Sequence, residues 1–97
     1  MEVTISPRAM KYLQERGASC LVLGLVDIET GGSVGAARDV AFGFAPPRDS
    51  RHFRWCQVQG IDVYVDRKLR VVGPVAIKKQ GFWKFSSLYA DGVQVPI

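Results

Sequence analysis

The sequence predicts a single α+β domain over residues 1–97: a small, mixed, β-rich fold with two packed sheets or a β-sandwich-like core and one N-terminal helix. Its length is that of one small domain. The chain is 47% apolar, which is enough for one core and argues against disorder. One segment near the N-terminus has helical spacing of apolar residues, whereas most of the remainder forms short alternating or apolar stretches bounded by glycine and proline.

The N-terminal segment predicts a short strand followed by a helix. Residues Glu2 to Ile5 alternate between polar and apolar, as in a half-buried strand. Ser6 can cap the helix, because its hydroxyl accepts a hydrogen bond from an otherwise unpaired N–H, and Pro7 suits the first helical position. Gly17 predicts the end of the helix, since glycine readily adopts the left-handed conformation.

The rest of the chain predicts strands and turns. Cys20 to Ile28 is apolar on both alternating faces, which is typical of a central strand covered on both sides. Ile61 to Asp66 alternates cleanly and predicts an amphipathic strand. Further strands or apolar stretches are predicted at Asp39–Phe44, His52–Gln59, Leu69–Val72, Val75–Lys78, Phe82–Tyr89 and Val93–Val95, with turns at Glu29–Ala37, Ala45–Asp49, Asp66–Lys68, Gly73–Pro74 and Asp91–Gly92.

The charge balance and the terminal sequence predict a cytoplasmic protein. Thirteen basic and nine acidic residues give a net charge of +4, a mild excess that suits solubility first and an anionic partner second. The N-terminus has no basic-then-apolar signal pattern. The longest apolar run, Cys20 to Val26, is too short to span a bilayer, so we expect no membrane contact.

Several local motifs resemble the HesB-like family, the A-type iron–sulfur carriers. The order and spacing of these motifs cover nearly the whole chain, and the resemblance implies a HesB-like fold. The matching pieces are Val3–Ser6 followed by Ala9 (the family's opening motif), Thr30–Gly35 (its Gly-rich turn), Gly60–Asp66 (its G-(V/I)-x-(V/I)-x-V-D strand) and Gly81–Asp91 (its late strand G-F-x-F-x-N).

Within that family the chain most resembles the branch that carries an adjacent Cys-Cys or selenocysteine-Cys pair after Gly-Gly. Ser33 and Val34 stand where that reactive pair would be, and the sequence ends Gln94–Ile97 without the Cys-Gly-Cys of ordinary carriers. Iron–sulfur clusters need thiolate ligands. The resemblance therefore implies a non-catalytic relative of iron–sulfur assembly factors that has lost cluster binding, holds no cofactor and acts through protein contacts.

A basic-aromatic cluster suggests an alternative, a small nucleic-acid-binding module. Arg51, Phe53, Arg54 and Trp55 combine cations with aromatic rings, and single-stranded nucleic acid is bound by such combinations. Arg51 and Phe53 are expected on one strand face, with Arg54 opposite. We favour a charged loop that leads into a core strand, in which Phe53 and Trp55 are buried.

The two cysteines offer a third hypothesis, a thiol or metal site. Cys20 and Cys56 lie in apolar segments, so the favoured interpretation is two buried thiols that act as small hydrophobic residues. With His52 they could hold zinc if the three side chains met in space. One histidine and no Ser/His/Asp grouping give catalysis little support, so we expect no enzyme activity.

The late aromatic segment predicts self-association. Exposed edge strands are commonly covered by pairing, and most small assemblies are symmetric dimers. We therefore expect a homodimer that uses part of Phe82–Tyr89 or the terminal strand.

Overall fold

The structure, a computed structural model, describes the backbone of residues 1–29, 36–81 and 86–95, and the side chains of those ranges apart from 26–29 and 36–39. Within these residues the chain forms one α-helix, one short 3-10 helix and seven strands. In chain order they are β1 (Val3–Ile5), α1 (Pro7–Glu15), β2 (Cys20–Glu29), β3 (Ala36–Gly43), the 3-10 helix (Ser50–His52), β4 (Phe53–Val58), β5 (Ile61–Asp66), β6 (Arg70–Gln80) and β7 (Ser87–Gln94).

The strands form two sheets, which confirms the predicted α+β fold with two packed sheets and one helix. One sheet has three strands in the order β1-β6-β7, and the other has four in the order β3-β2-β5-β4. Strand β1 runs parallel to β6, and β2 runs parallel to β5, whereas the remaining pairs are antiparallel. Strand β2 lies between β3 and β5, which confirms its predicted central position. The predicted cover on both sides is only partial, because Val22 and Gly24 on the face opposite the core are half-buried.

The helix begins and ends where its sequence signals predicted. The N–H of Ala9 donates to the hydroxyl oxygen of Ser6 at 3.2 Å, and Pro7 occupies the first turn. Gly17 has a φ of +66°, the left-handed conformation that ends a helix. Ala9 and Leu13 are fully buried, so this face of the helix supplies part of the core against β6.

The core lies between the two sheets and the helix. Alternate residues of each strand supply it, because successive side chains of a strand point to opposite faces. The buried members from the strands are Ile5 of β1, Leu21 and Leu23 of β2, Ile61, Val63 and Val65 of β5, Val75 and Ile77 of β6, and Leu88 of β7. The alternate residues of the four-stranded sheet point away from this core, and we call that side the outer sheet face.

Two predicted turns are wrong, because strands run through them. Strand β6 continues past Gly73–Pro74, and its register with β7 shifts between Val71 and Ala76. A bulge of this kind accommodates a proline, which cannot donate to the ladder. Gly92 lies inside β7 opposite the bulge, with a φ of +86°. The two local turn signals are therefore the two sides of one irregularity within the sheet.

Candidate interaction surface

An exposed tryptophan marks the outer sheet face. Trp55 is 58% exposed, although it lies in the middle of β4. Trp55 pairs with Tyr64 of β5, Tyr64 pairs with Val22 of β2, and Val22 pairs with Gly43 of β3. One row across all four strands thus carries an indole, a phenol, an isopropyl group and a glycine.

A carboxylate on the same face holds the indole in place. The Nε1–H of Trp55 donates to Oδ1 of Asp62 at 3.2 Å, and the amide nitrogen of Gln57 donates to the same oxygen at 3.5 Å. Trp55, Gln57 and Asp62 are therefore linked by hydrogen bonds across β4 and β5. A tryptophan that is both exposed and hydrogen-bonded combines a large apolar area with a fixed orientation, which is common at interfaces.

The outer sheet face is acidic, although the chain is basic overall. Its two charged residues among the described side chains are Asp62 and Asp66, both on β5, and none of those side chains is lysine or arginine. Glycines leave part of the face flat, since a Cβ added at Gly24 would meet nothing within 4 Å. The arrangement is an apolar row, exposed at Trp55 and half-buried along the rest, with a carboxylate beside the indole.

The hairpin between β4 and β5 explains this placement, and the sequence contains the signal for it. Gln59 and Gly60 have φ values of 51° and 84°, as in the two-residue turns that match the twist of a hairpin. Such a turn sets Val58 opposite Ile61, and therefore Trp55 opposite Tyr64. Ile61 and the alternate residues after it are buried in the core. Tyr64 lies between two of them along β5, so its side chain lies on the outer sheet face.

The four residues of the predicted basic-aromatic surface do not lie on one face. Phe53, which is half-buried, and Trp55 share the outer sheet face, whereas Arg54 pairs with buried Val65 and points to the other side. The expectation that Trp55 is buried is wrong. Alternation along β4 turns the indole away from the core, and Trp55 is 58% exposed.

Arg51 precedes the strand and has its own carboxylate partner. Its Nε and Nη2 atoms donate to the two carboxylate oxygens of Asp49, both at 3.0 Å. The hydrogen bonds from Arg51 hold the pKa of Asp49 below its usual value. His52 also faces Asp49, with Nε2 3.5 Å from Oδ2. The charge of Arg51 is therefore already paired, in a side chain that remains exposed.

The cysteines lie on opposite faces of the four-stranded sheet. Cys20 is buried and pairs with Asp62, and burial, followed by the charge of Asp62, raises the pKa of its thiol. Cys56 is half-buried and packs against the core, and burial raises its pKa as well. His52 does not join them. No group of three or more His, Cys, Asp or Glu side chains in the described residues is placed to hold a metal.

Some predicted features lie outside the described residues. Ser33 and Val34 are among them, as are residues 82–85 of the predicted dimer segment and Pro96. Among the helices of the described chain, none has the length and apolar character needed to cross a membrane.

Comparison with known proteins assigns the family. The profile of the CC/Se motif containing family matches residues 1–93. The chain belongs to this family. The crystal structure of Escherichia coli SufA, described as involved in biosynthesis of iron–sulfur clusters, is similar with a TM-score of 0.57 and 13% identity, covering 94% of this chain and 80% of SufA. At this identity the likeness shows the fold, which is HesB-like as the motifs predicted. No curated protein sequence matches the chain.

Proposed function

We propose that this member of the CC/Se motif containing family is a non-catalytic domain that acts through protein contacts, as a relative of iron–sulfur assembly factors that has lost cluster binding. The observation that carries the proposal is the outer sheet face, where a hydrogen-bonded Trp55 is left in water. Exposed tryptophans of this kind are enriched among the residues that dominate protein–protein binding energies.

The loss of cluster binding is inferred from the cysteines. The sequence has two, Cys20 and Cys56, and they lie on opposite faces of one sheet. The motif after which the family is named is aligned by resemblance with Ser33 and Val34, which cannot supply the thiolates that a cluster needs. We place the protein in the cytoplasm, where free thiols of this kind stay reduced.

Nucleic-acid binding is the second candidate, because the exposure of Trp55 would allow a base to stack on it. The surrounding charges favour a protein partner instead. Phosphate binding needs cations near the stacking ring. Arg54 points to the other side of the sheet, Arg51 is paired with Asp49, and the carboxylate next to the indole belongs to Asp62. This face would repel a phosphate backbone.

Site-specific photo-crosslinking tests the protein contact. We would replace Gln57, the exposed neighbour of Trp55 on the outer sheet face, with benzoylphenylalanine, and use exposed Arg8 of the helix as the control position. We expect an adduct to one defined protein from position 57, mapped by mass spectrometry, weakened by Trp55→Ala and missing from position 8. Equal adducts at both positions would refute the proposal, and nucleic-acid adducts would favour the second candidate.

Anaerobic reconstitution tests the loss of cluster binding. After incubation with iron and sulfide and desalting, we expect a colourless protein with no bound iron, because the described thiols cannot converge on one metal. A stoichiometric thiolate-to-iron charge-transfer band would overturn this part of the proposal. Cys20→Ala and Cys56→Ala would then show which thiol is responsible.

A further inference from the structure

We infer that the outer sheet face binds an arginine side chain of its partner protein, with the guanidinium stacked on Trp55 and paired with Asp62. The inference rests on the proposed protein contact and adds the chemistry of the partner. It starts from three properties of one place: an exposed indole, a carboxylate that touches it, and no cation among the described side chains of the face.

The indole is held ready for a planar cation. Its N–H is fixed by Asp62 at 3.2 Å, while the residue remains 58% exposed. Among aromatic side chains, tryptophan attracts cations best, and arginine stacks on aromatic faces more often than lysine does. Tyr64, the cross-strand neighbour of Trp55, extends the aromatic surface along the row. Because Asp62 already fixes the indole, Trp55 loses little further freedom when a guanidinium stacks on it.

The carboxylate supplies the second half of the recognition. Both hydrogen bonds that Asp62 accepts, from Trp55 and from Gln57, use Oδ1. A carboxylate has about four lone-pair sites over its two oxygens, so it can accept further N–H groups. Asp66 adds a second negative charge on the same strand. These two carboxylates attract a cation, even though the whole chain carries a net charge of +4.

The same chain displays both contacts elsewhere, on its own arginines. The guanidinium carbon of Arg16 lies 4.6 Å from the ring centroid of Phe44 and 5.1 Å from that of Tyr12. Arg51 forms two hydrogen bonds to one carboxylate, that of Asp49. The outer sheet face offers a ring and a carboxylate side by side, so an arginine of the partner protein could make both contacts at once.

A peptide titration followed by NMR tests the inference. The probe is the pentapeptide acetyl-Gly-Ser-Arg-Ser-Gly-amide, and its match carries citrulline, which keeps the planar group without the charge. We expect the arginine peptide to shift the Trp55 indole N–H resonance saturably, assigned with Trp55→Phe. Since cation–π and exposed ion-pair energies are each modest, the citrulline peptide should bind about 5-fold more weakly.

Asp62→Asn is the deciding variant, because it removes the charge and keeps an oxygen that can accept from the indole. We expect it to weaken the arginine peptide about 3-fold, in line with exposed ion pairs. The matched control is Asp91→Asn, which removes a carboxylate paired with Lys78 at 3.1 Å on the other sheet and should leave binding unchanged.

The inference is overturned if the arginine peptide does not shift the Trp55 resonance, if both peptides bind equally, or if Asp62→Asn binds the arginine peptide as tightly as the wild type does. If any of these occurs while the photo-crosslink at position 57 persists, the proposed protein contact is retained, but the partner does not bind through an arginine. If the crosslink also fails, the proposed function fails with it. A shift of Trp55 by a decathymidylate instead of the arginine peptide would also overturn the inference.

Discussion

Substitution of Gly92 tests the sheet irregularity that the sequence did not predict. Gly92 lies in β7 with a φ of +86°, opposite the bulge of β6. A Cβ at this position would overlap the carbonyl oxygen of Pro74 and lie 2.8 Å from its carbonyl carbon and 3.2 Å from Cα of Val75. The neighbouring atoms are backbone, so they cannot rotate away as a flexible side chain would.

Two energies add in Gly92→Ala. A left-handed conformation costs a non-glycine residue about 1–2 kcal/mol. Forcing extra volume into a packed site costs a further ~1–3 kcal/mol. We therefore expect a loss of about 2–5 kcal/mol, which lowers the midpoint of thermal unfolding by roughly 8–40 °C in a domain of this size.

Two other glycines separate these energies. Gly60→Ala keeps the positive φ, +84°, but its Cβ would meet nothing within 4 Å, so it should lose only about 1–2 kcal/mol. Gly24 lies in a strand without a positive φ, and a Cβ there would meet nothing within 4 Å. Gly24→Ala should therefore leave the free energy of unfolding unchanged or raise it by ~0.5–1 kcal/mol. Urea unfolding followed by tryptophan fluorescence measures all three. A loss at Gly92 no larger than that at Gly60 would refute the register of β6 and β7.

Four further predictions follow from burial, pKa and topology. Trp55→Ala should destabilise by about 1–2 kcal/mol, below the ~3–5 kcal/mol of a core aromatic residue, in the same urea assay. In the folded protein Ellman's reagent should label Cys20 more slowly than Cys56, and both should react quickly in urea. Because both thiol pKa values are raised on folding, stability should fall as the pH rises above the unfolded-state value and through the folded one, measured by urea unfolding at pH 7 to 10. Light scattering at tens of micromolar should give the mass of a homodimer, and a monomer mass would count against pairing through the late strands.

Local signals predicted the helix and most of the strands from the sequence. Ser6, Pro7 and Gly17 act through neighbouring backbone groups, so their effect depends little on the rest of the fold. The breaks predicted at Gly73–Pro74 and Asp91–Gly92 were wrong for the opposite reason. Each is a turn signal by itself, and only the pairing of β6 with β7 makes them two sides of one bulge.

The candidate surface required information from two strands. Alternation in β4 places Phe53 and Trp55 on one face, but it does not say which face is covered. The register with β5, set by the two-residue turn at Gln59–Gly60, places Trp55 beside Tyr64 and Asp62. The turn signal in the sequence was enough to predict that Tyr64 lies opposite Trp55. Which face of the sheet is exposed could not be predicted in this way, because it depends on how the two sheets pack.

The measurement that tests the account most directly is the affinity of Trp55→Ala for the partner captured at position 57. Isothermal titration of the purified pair would compare it with the wild type and with Arg51→Ala, an exposed residue whose charge is paired with Asp49. If Trp55 is the anchor of the interface, its removal should weaken binding by about 30-fold or more, the loss of a ~2 kcal/mol hot spot, while Arg51→Ala binds as the wild type does. Unchanged affinity in a folded Trp55→Ala variant would contradict the assignment of the outer sheet face as the binding surface.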